Sequence, residues 1–323
     1  MNDITSYMLE QAKKILSIDS PTGFTAHAAE YVLGAYKKLG YDAKLTNKGG
    51  IFVCVNDGPD QADDPADAPI LLEAHMDTLG GMVCSINEKG RLMLSALGGM
   101  NPNNAEAENC RVYTRSGKVY SGTFQLKNAS IHVNGSYNDT ARSYDAMEVV
   151  LDEPVESKAD TEALGIMTGD IVCFDPRTVV TGSGYLKSRF LDDKLSAAML
   201  LALAKEIKDN NRTLKRKVYL HFTVYEEVGH GASASVPNDA EELISVDMGC
   251  VGDGLTCTER EVSICAKDSG GPYNYAVTTA LVEAAKSVGA KYAVDVYPHY
   301  GSDVEASLRS GWDVRHGDRK SVV

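Results

Sequence analysis

The sequence predicts an α/β fold: a mixed, largely parallel sheet flanked by helices, with a small all-β domain inserted into it. Three observations carry this. Helical and strand-like apolar periodicities alternate at both ends of the chain. Between about Met82 and Gly184 the texture changes to short β-type runs punctuated by Gly, Asn and Ser. A length of 323 residues suits a core domain plus a smaller module.

The elements follow in order. Ile4, Met8, Ala12, Ile15 and Leu16 fall at helical spacing, with Lys13 and Lys14 on the wet side. Ser20-Pro21-Thr22-Gly23 breaks the run, and Ala26, Ala29, Val32, Leu33, Tyr36 and Leu39 make a second stripe closed by Gly40. Strands are expected at Tyr41–Leu45, Gly50–Val55 and Ile70–Ala74. The acidic stretch from Asp57 to Pro69 is expected to be mobile surface. In the insertion, Lys118–Phe124, Ala129–Val133, Ala146–Leu151 and Asp170–Phe174 are the strand candidates. Beyond it come a nearly all-apolar helix at Leu195–Ile207, strands at Val218–Val224, Glu241–Ser245 and Val262–Ala266, and a helix at Tyr275–Ser287. Residues 1–81 and 185–317 therefore read as one split α/β domain, and 82–184 as the inserted β domain.

Composition narrows the function. Apolar residues make up 43% and charged residues 24%, which excludes disordered, collagen-like and coiled-coil chains. Lys and Arg number 32 against 45 Asp and Glu, a net charge of −13, so no nucleic-acid or membrane-surface partner is expected. No run reaches the roughly eighteen apolar residues of a membrane span. The N-terminal MNDITSYMLEQAKK lacks a basic segment followed by an apolar one, so a cytoplasmic location is expected. Cysteines at 54, 84, 110, 173, 250, 257 and 265 are odd in number and never at CxxC spacing, which fits scattered thiols in a reducing compartment.

Four segments carry candidate chemistry. In Glu73-Ala74-His75-Met76-Asp77, an imidazole at a strand end can meet a metal while Asp77 holds its other nitrogen; a purely structural histidine has the same pattern. Asp192-Asp193 opens the apolar helix, either as an N-cap and its neighbour or as a carboxylate bridging two ions. Glu226-Glu227 directly follow a strand, where ligands gather in open α/β sheets. Two adjacent Glu repel unless a cation lies between them or one is protonated; one ligand and one general base is the economical reading. Asp247 is a further strand-end carboxylate. His75, Asp192, Glu227 and Asp247 are a mixed imidazole and carboxylate set, suited to two divalent ions such as Zn, Co or Mn. Glu226 would then move the proton.

AHMDTLG, RFLDDKLSAA, YEEVGHGAS and SVDMG, in this order, resemble the cocatalytic aminopeptidases of metallopeptidase family forty-two: glutamyl and TET-type enzymes, some labelled endoglucanases. The resemblance runs from the Ser20–Gly23 turn to Tyr300-Gly301-Ser302-Asp303. It implies a di-metal aminopeptidase/phosphorylase-like fold and release of N-terminal residues from peptides. His75 and Asp247 would hold one ion, Glu227 the other, and Asp192 both; Glu226 would be the base. Asp77 would orient His75, and Asp193 would stand behind Asp192 across a cis peptide. The β insertion would serve dimerisation and assembly, giving a homo-oligomer from dimer to dodecamer.

One departure is evident. The family supplies a last metal ligand, a His well beyond the Gly-Ser/Thr-Asp motif. His316 follows Asp303 too soon and His299 precedes it, so that ligand is expected to be absent from this chain. Residues 318–323 can be encoded by read-through of a sequencing-library adapter and are expected to be a non-native tail. Two rival functions remain open: a deacylase or amidase on small N-acyl compounds, and an inactive truncated assembly protein. Glycoside hydrolysis uses a carboxylate pair without metal and fits the histidine and strand-end acids least.

Overall fold

The first apolar stripe becomes helix α1 (Asp3–Leu16), which buries Ala12, Ile15 and Leu16. The second becomes α2 (Ala26–Lys38), which buries Ala29, Val32 and Tyr36. A computed structural model describes residues 3–58 and 64–322. The expected strand at Tyr41–Leu45 shrinks to an exposed edge pair, β1 (Lys44–Leu45), followed by β2 (Ile51–Asn56). Of the acidic stretch, residues 59–63 lie outside the described residues; Pro65–Asp67 is a 3-10 turn capped by the Asp64 side chain. Then β3 (Ile70–His75) runs straight to the histidine.

The next segment is β-rich: β4 (Gly80–Ile86), β5 (Leu92–Leu97), β6 (Glu108–Tyr113), β7 (Val119–Leu126), β8 (Met147–Leu151), the short helix α3 (Lys158–Ala163) and β9 (Ile171–Phe174). The strands close into a barrel in the order β4-β5-β8-β7-β6-β9. Leu92, Leu94, Val112, Phe124, Val149, Val172 and Phe174 are buried there, with the Phe124 and Phe174 rings edge-on at 5.6 Å. Ala129–Val133 is not the expected strand. It is a chain of turns with Ile131 and Val133 exposed. Val133 and Asn134 donate to the Ser130 carbonyl, and the Asn134 side chain to that of Asn128, so local polar groups win over a ladder.

The remaining elements are β10 (Val179–Val180), β11 (Leu186–Lys187), α4 (Leu191–Asp209), β12 (Val218–Thr223), β13 (Glu242–Gly249), β14 (Val262–Lys267), α5 (Tyr275–Ser287), β15 (Tyr292–Val296), α6 (Asp303–Arg309) and β16 (Arg315–Val322). The chain divides into two units, Met1–Asp77 with Thr178–Val323, and Thr78–Arg177; these bounds fall a few residues before the changes of texture at Met82 and Gly184.

The first unit is built on an eight-stranded sheet, ordered β1-β2-β12-β3-β13-β16-β14-β15. Its centre, β12-β3-β13-β16, is parallel; β2 joins β12, and β16 joins β14, in antiparallel fashion. Strand alternation sorts the two faces. Ala74, Leu220, Phe222, Ile244 and Val246 pack with Ile15, Val32, Tyr36 and Leu201 of α1, α2 and α4. Leu71, Tyr219, Leu243 and Cys265 pack with Tyr273, Tyr297 and Val304. The Phe222 ring lies 5.3 Å from that of Tyr36, and Phe222→Ala would cost about 3–5 kcal/mol. Residues 318–322, expected as a foreign tail, lie in β16, where Asp318 and Lys320 are buried and ion-paired; position 323 lies outside the described residues. Parallel pairing brings the carboxyl ends of β3 and β12 to one edge, with His75 level with Thr223.

Candidate functional site

That edge gathers the chemistry. His75 ends β3 and is 2% exposed. Its Nδ1 lies 2.9 Å from the carbonyl oxygen of Asp77, an atom that only accepts, so Nδ1 carries the proton. Nε2 then turns its lone pair on Asp192 Oδ1, also at 2.9 Å. Two acceptors that close need a proton or a cation between them. Burial opposes charge on His75, but Asp192, Asp77 and Glu226 outweigh it and raise its pKa.

Asp192 and Asp193 sit at the start of α4, joined by a cis peptide bond. Asp192 remains partly exposed, while Asp193 turns inward and accepts the His75 backbone N–H at 3.2 Å. Its other oxygen is buried without a hydrogen-bond partner. The neighbouring Lys194 is also buried and donates to the Ile18 carbonyl. Phe190 and Tyr225, which precede the two acidic pairs, both adopt left-handed backbone, at φ 62° and 73°. Such strain in residues with side chains concentrates at functional sites.

Glu226 and Glu227 open a 3-10 turn directly after β12. Asp77, fully buried, holds both: its carboxylate accepts the Glu226 N–H at 3.1 Å and the Glu227 N–H at 3.3 Å. Thr22 donates to the same carboxylate at 2.7 Å. Asp77 therefore serves His75 chiefly through its carbonyl; its carboxylate, 3.6 Å from Nδ1, serves mainly the glutamate turn. Glu226 Oε2 lies 3.8 Å from His75 Nε2.

Two groups among the described residues could hold a metal: His75 with Asp192 and Glu227, and His75 with Asp193 and Asp247, their donor atoms within 4.8 Å of one another. In the second, Asp193 stands with Asp247 where the sequence suggests Asp192. The donors fit divalent cations. Burial raises the carboxyls of Glu226, Asp193, Asp247 and Glu227, the last to about 8, and their neighbouring carboxylates push them further. A cation among them would offset both penalties. His299 is exposed, and His316 lies on β16 against the Tyr273 ring at 5.3 Å; neither is in these groups. His230 stacks on Tyr225.

The model of the M42 glutamyl aminopeptidase family matches residues 54–318. The chain belongs to that family. Among curated relatives, YhfE of Bacillus subtilis (strain 168) is 40% identical over 309 residues, 96% of this chain and 88% of that protein. The glutamyl aminopeptidase of Lactococcus lactis subsp. cremoris (strain MG1363) is 26% identical over 267 residues, 77% of this chain and 72% of that one. Among solved structures, the dodecamer PhTET1-12s superposes with a TM-score of 0.81 at 22% identity, covering 100% of this chain and 91% of that one. The M42 chain is thus a hydrolase of the peptidase class, and it shares the fold of that structure.

Several residues of this M42 site were not singled out by the sequence reading. Ser20 and Thr22 read there only as parts of a helix-breaking turn. Both are buried, and Ser20 donates to the Met76 carbonyl at 2.7 Å as Thr22 does to Asp77. Lys48 is another, donating to the Gly231 carbonyl at 2.6 Å. The available signal was hydroxyls flanking Pro21 immediately before a helix, a place where side chains satisfy backbone groups.

Proposed function

We propose that this M42 peptidase is a two-metal aminopeptidase that removes N-terminal residues from peptides. The observation that carries this is the convergence of four acidic side chains on His75, with Nε2 facing Asp192 Oδ1 at 2.9 Å. His75, Asp192 and Asp247 would hold one divalent ion, zinc, cobalt or manganese, and Asp192 with Glu227 the other; Asp193, which the geometry groups with His75 and Asp247, would then stand behind Asp192. Bound there, such ions acidify water and stabilise developing negative charge on the scissile carbonyl oxygen. Glu226, outside both donor groups yet 3.8 Å from His75 Nε2, accepts the proton of the attacking water and delivers it to the leaving amine. Asp77 fixes the glutamate backbone and the proton on His75 Nδ1, so base and ligand keep separate positions.

The dodecameric neighbour supports a homo-oligomer; the barrel unit at 78–177 would be its assembly surface, as the family resemblance implies. A cytoplasmic location is part of this reading, and no described helix is long and apolar enough to cross a membrane. The test is hydrolysis by protein loaded with each of the three metals. Release of free amino acids from peptide amides is expected. Acetate release from N-acetyl amino acids without amino-acid release from the amides would overturn the reading in favour of a deacylase.

A further inference from the structure

The Glu226-Glu227 turn has two stems, and one carboxylate joins them. On the entry side, Thr223 ends β12 and donates its hydroxyl to Asp303 Oδ2. On the exit side, the Ala232 N–H donates to Asp303 Oδ1 at 2.9 Å. Thr223, Ala232 and Asp303 are all buried, so water does not replace these bonds. One turn further along α6, Ser307 donates to the Ala232 carbonyl at 2.8 Å. Asp303 and Ser307 are spaced i, i+4 and share a helix face, so α6 engages both backbone polar atoms of Ala232. Helix α6 is itself anchored by Val304 in the core on that side of the sheet.

The backbone comes close to reach this clip. A Cβ on Gly231 would fall 2.2 Å from Asp303 Oδ1, so glycine is required for the approach. Lys48 adds a third hold, donating to the His230 and Gly231 carbonyls and to Ser233 Oγ at 3.3 Å. Asp77 holds the middle of the turn through the Glu226 and Glu227 N–H groups. None of these groups touches the reacting atoms. Together they leave the turn little freedom.

We propose that Asp303 is a positioning residue: by clipping Thr223 to Ala232 it fixes the base Glu226 and the ligand Glu227 relative to His75. The inference rests on the roles given to the two glutamates above. Its energetic logic is that of positioning, where about 1 Å of misplacement costs up to about 100-fold in rate. Asp303→Ala leaves the buried Ala232 N–H without its acceptor and frees the exit stem. Asp303→Asn keeps an oxygen acceptor for Ala232, and the Thr223 hydroxyl can rotate to accept from the new amide.

The test compares wild type, Asp303→Ala and Asp303→Asn by hydrogen exchange of the metal-free proteins, cobalt titration, and steady-state kinetics on a peptide amide. In Asp303→Ala, faster exchange confined to residues 224–233, weaker cobalt binding and a kcat lower by about 10- to 100-fold with KM little changed are expected. Asp303→Asn should recover most of each loss. Wild-type exchange in 224–233, or faster exchange with cobalt affinity and kcat both unchanged, would overturn the proposal. Equal losses in the Ala and Asn variants would also overturn it. If Asp303→Ala does not fold, Ser307→Ala decides: faster exchange in the same segment with a smaller loss of kcat supports the clip, and no change in either refutes it. A wild type that hydrolyses no peptide amide would defeat the aminopeptidase reading instead, while exchange and cobalt titration still decide the role of Asp303.

Discussion

Glu226→Gln and Glu227→Gln should fail in different ways. Glu226 lies outside both donor groups, and Glu227 belongs to the one with His75 and Asp192. Gln keeps the shape of Glu and removes the charge. Burial raises the Glu226 carboxyl well above its usual range, which favours its neutral form. The amide mimics that state, and Glu226→Gln should alter metal-free stability by less than about 1 kcal/mol. In the working site the lost basicity should cost about 10²–10⁴ in kcat, or about 3–5 kcal/mol of barrier. Removing a charge 3.8 Å from His75 Nε2 weakens the field there by at most about 4 kcal/mol at an effective dielectric of 20, and only to the extent that Glu226 is ionised. Metal content should therefore persist at saturating metal. Glu227→Gln should lose one ion first and activity as a consequence. The assay is metal by mass spectrometry beside amino-acid release, at several metal concentrations. Metal lost in Glu226→Gln and retained in Glu227→Gln would refute the assignment by exchanging the two roles.

Three further outcomes are expected. Thr22→Val removes the 2.7 Å hydrogen bond to the buried Asp77 carboxylate and should cost about 1.5–3 kcal/mol, read by urea unfolding, with a lower kcat because the glutamate turn loosens; unchanged stability would count against this bond. Metal loading should release protons, since Glu227 has its carboxyl raised to about 8 by burial, and affinity should fall about tenfold per pH unit below that for each proton released, as isothermal titration in two buffers would show; affinity flat from pH 8 to 6 would contradict it. Glu73 is fully buried, its carboxyl raised to about 8 by burial, and it hydrogen-bonds His221, which burial lowers to about 4, so burial favours the neutral form of both. A folded-state pKa above the unfolded one means that its stability contribution is full below about pH 4 and is lost as pH rises through 8, by up to about 1.4 kcal/mol per unit. His221, lowered in the fold, works the other way and offsets this up to about pH 6.5, so Glu73→Gln should flatten the decline of metal-free stability between about pH 6.5 and 8, and an unchanged slope there would refute the account.

Much of the fold was legible because apolar periodicity is a local property with a global consequence. Ala12, Ile15 and Leu16 could share a face only on a helix, and Ile70–Ala74, apolar but for Glu73, could be covered on both faces only inside a sheet. What failed, failed where that link is weak. Ala129–Val133 has strand-like residues but neighbours that satisfy its backbone locally, and it became turns. The barrel strands β4 and β5 escaped notice because Ser85, Ser95 and their Gly-rich flanks interrupt the apolar pattern that closure completes.

The site divides along the same line. Candidate donors were legible because charged residues at strand ends have few stabilising roles, and each lies within a few residues of a strong strand or helix. The residues that hold the donors in place were not. Thr22, Lys48 and Ser307 are chemically ordinary, and they reach the site from three separate parts of the chain. Their selection follows from backbone groups that need partners: the Glu226 and Glu227 N–H groups on Asp77, and the Ala232 N–H and carbonyl on α6. Such needs appear only after the β12 loop has folded. Two adjacent glutamates are identical in sequence terms; Asp77 at the middle of the turn and Asp303 at its two stems fix the backbone, and on the proposed reading this lets one be a ligand and the other a base.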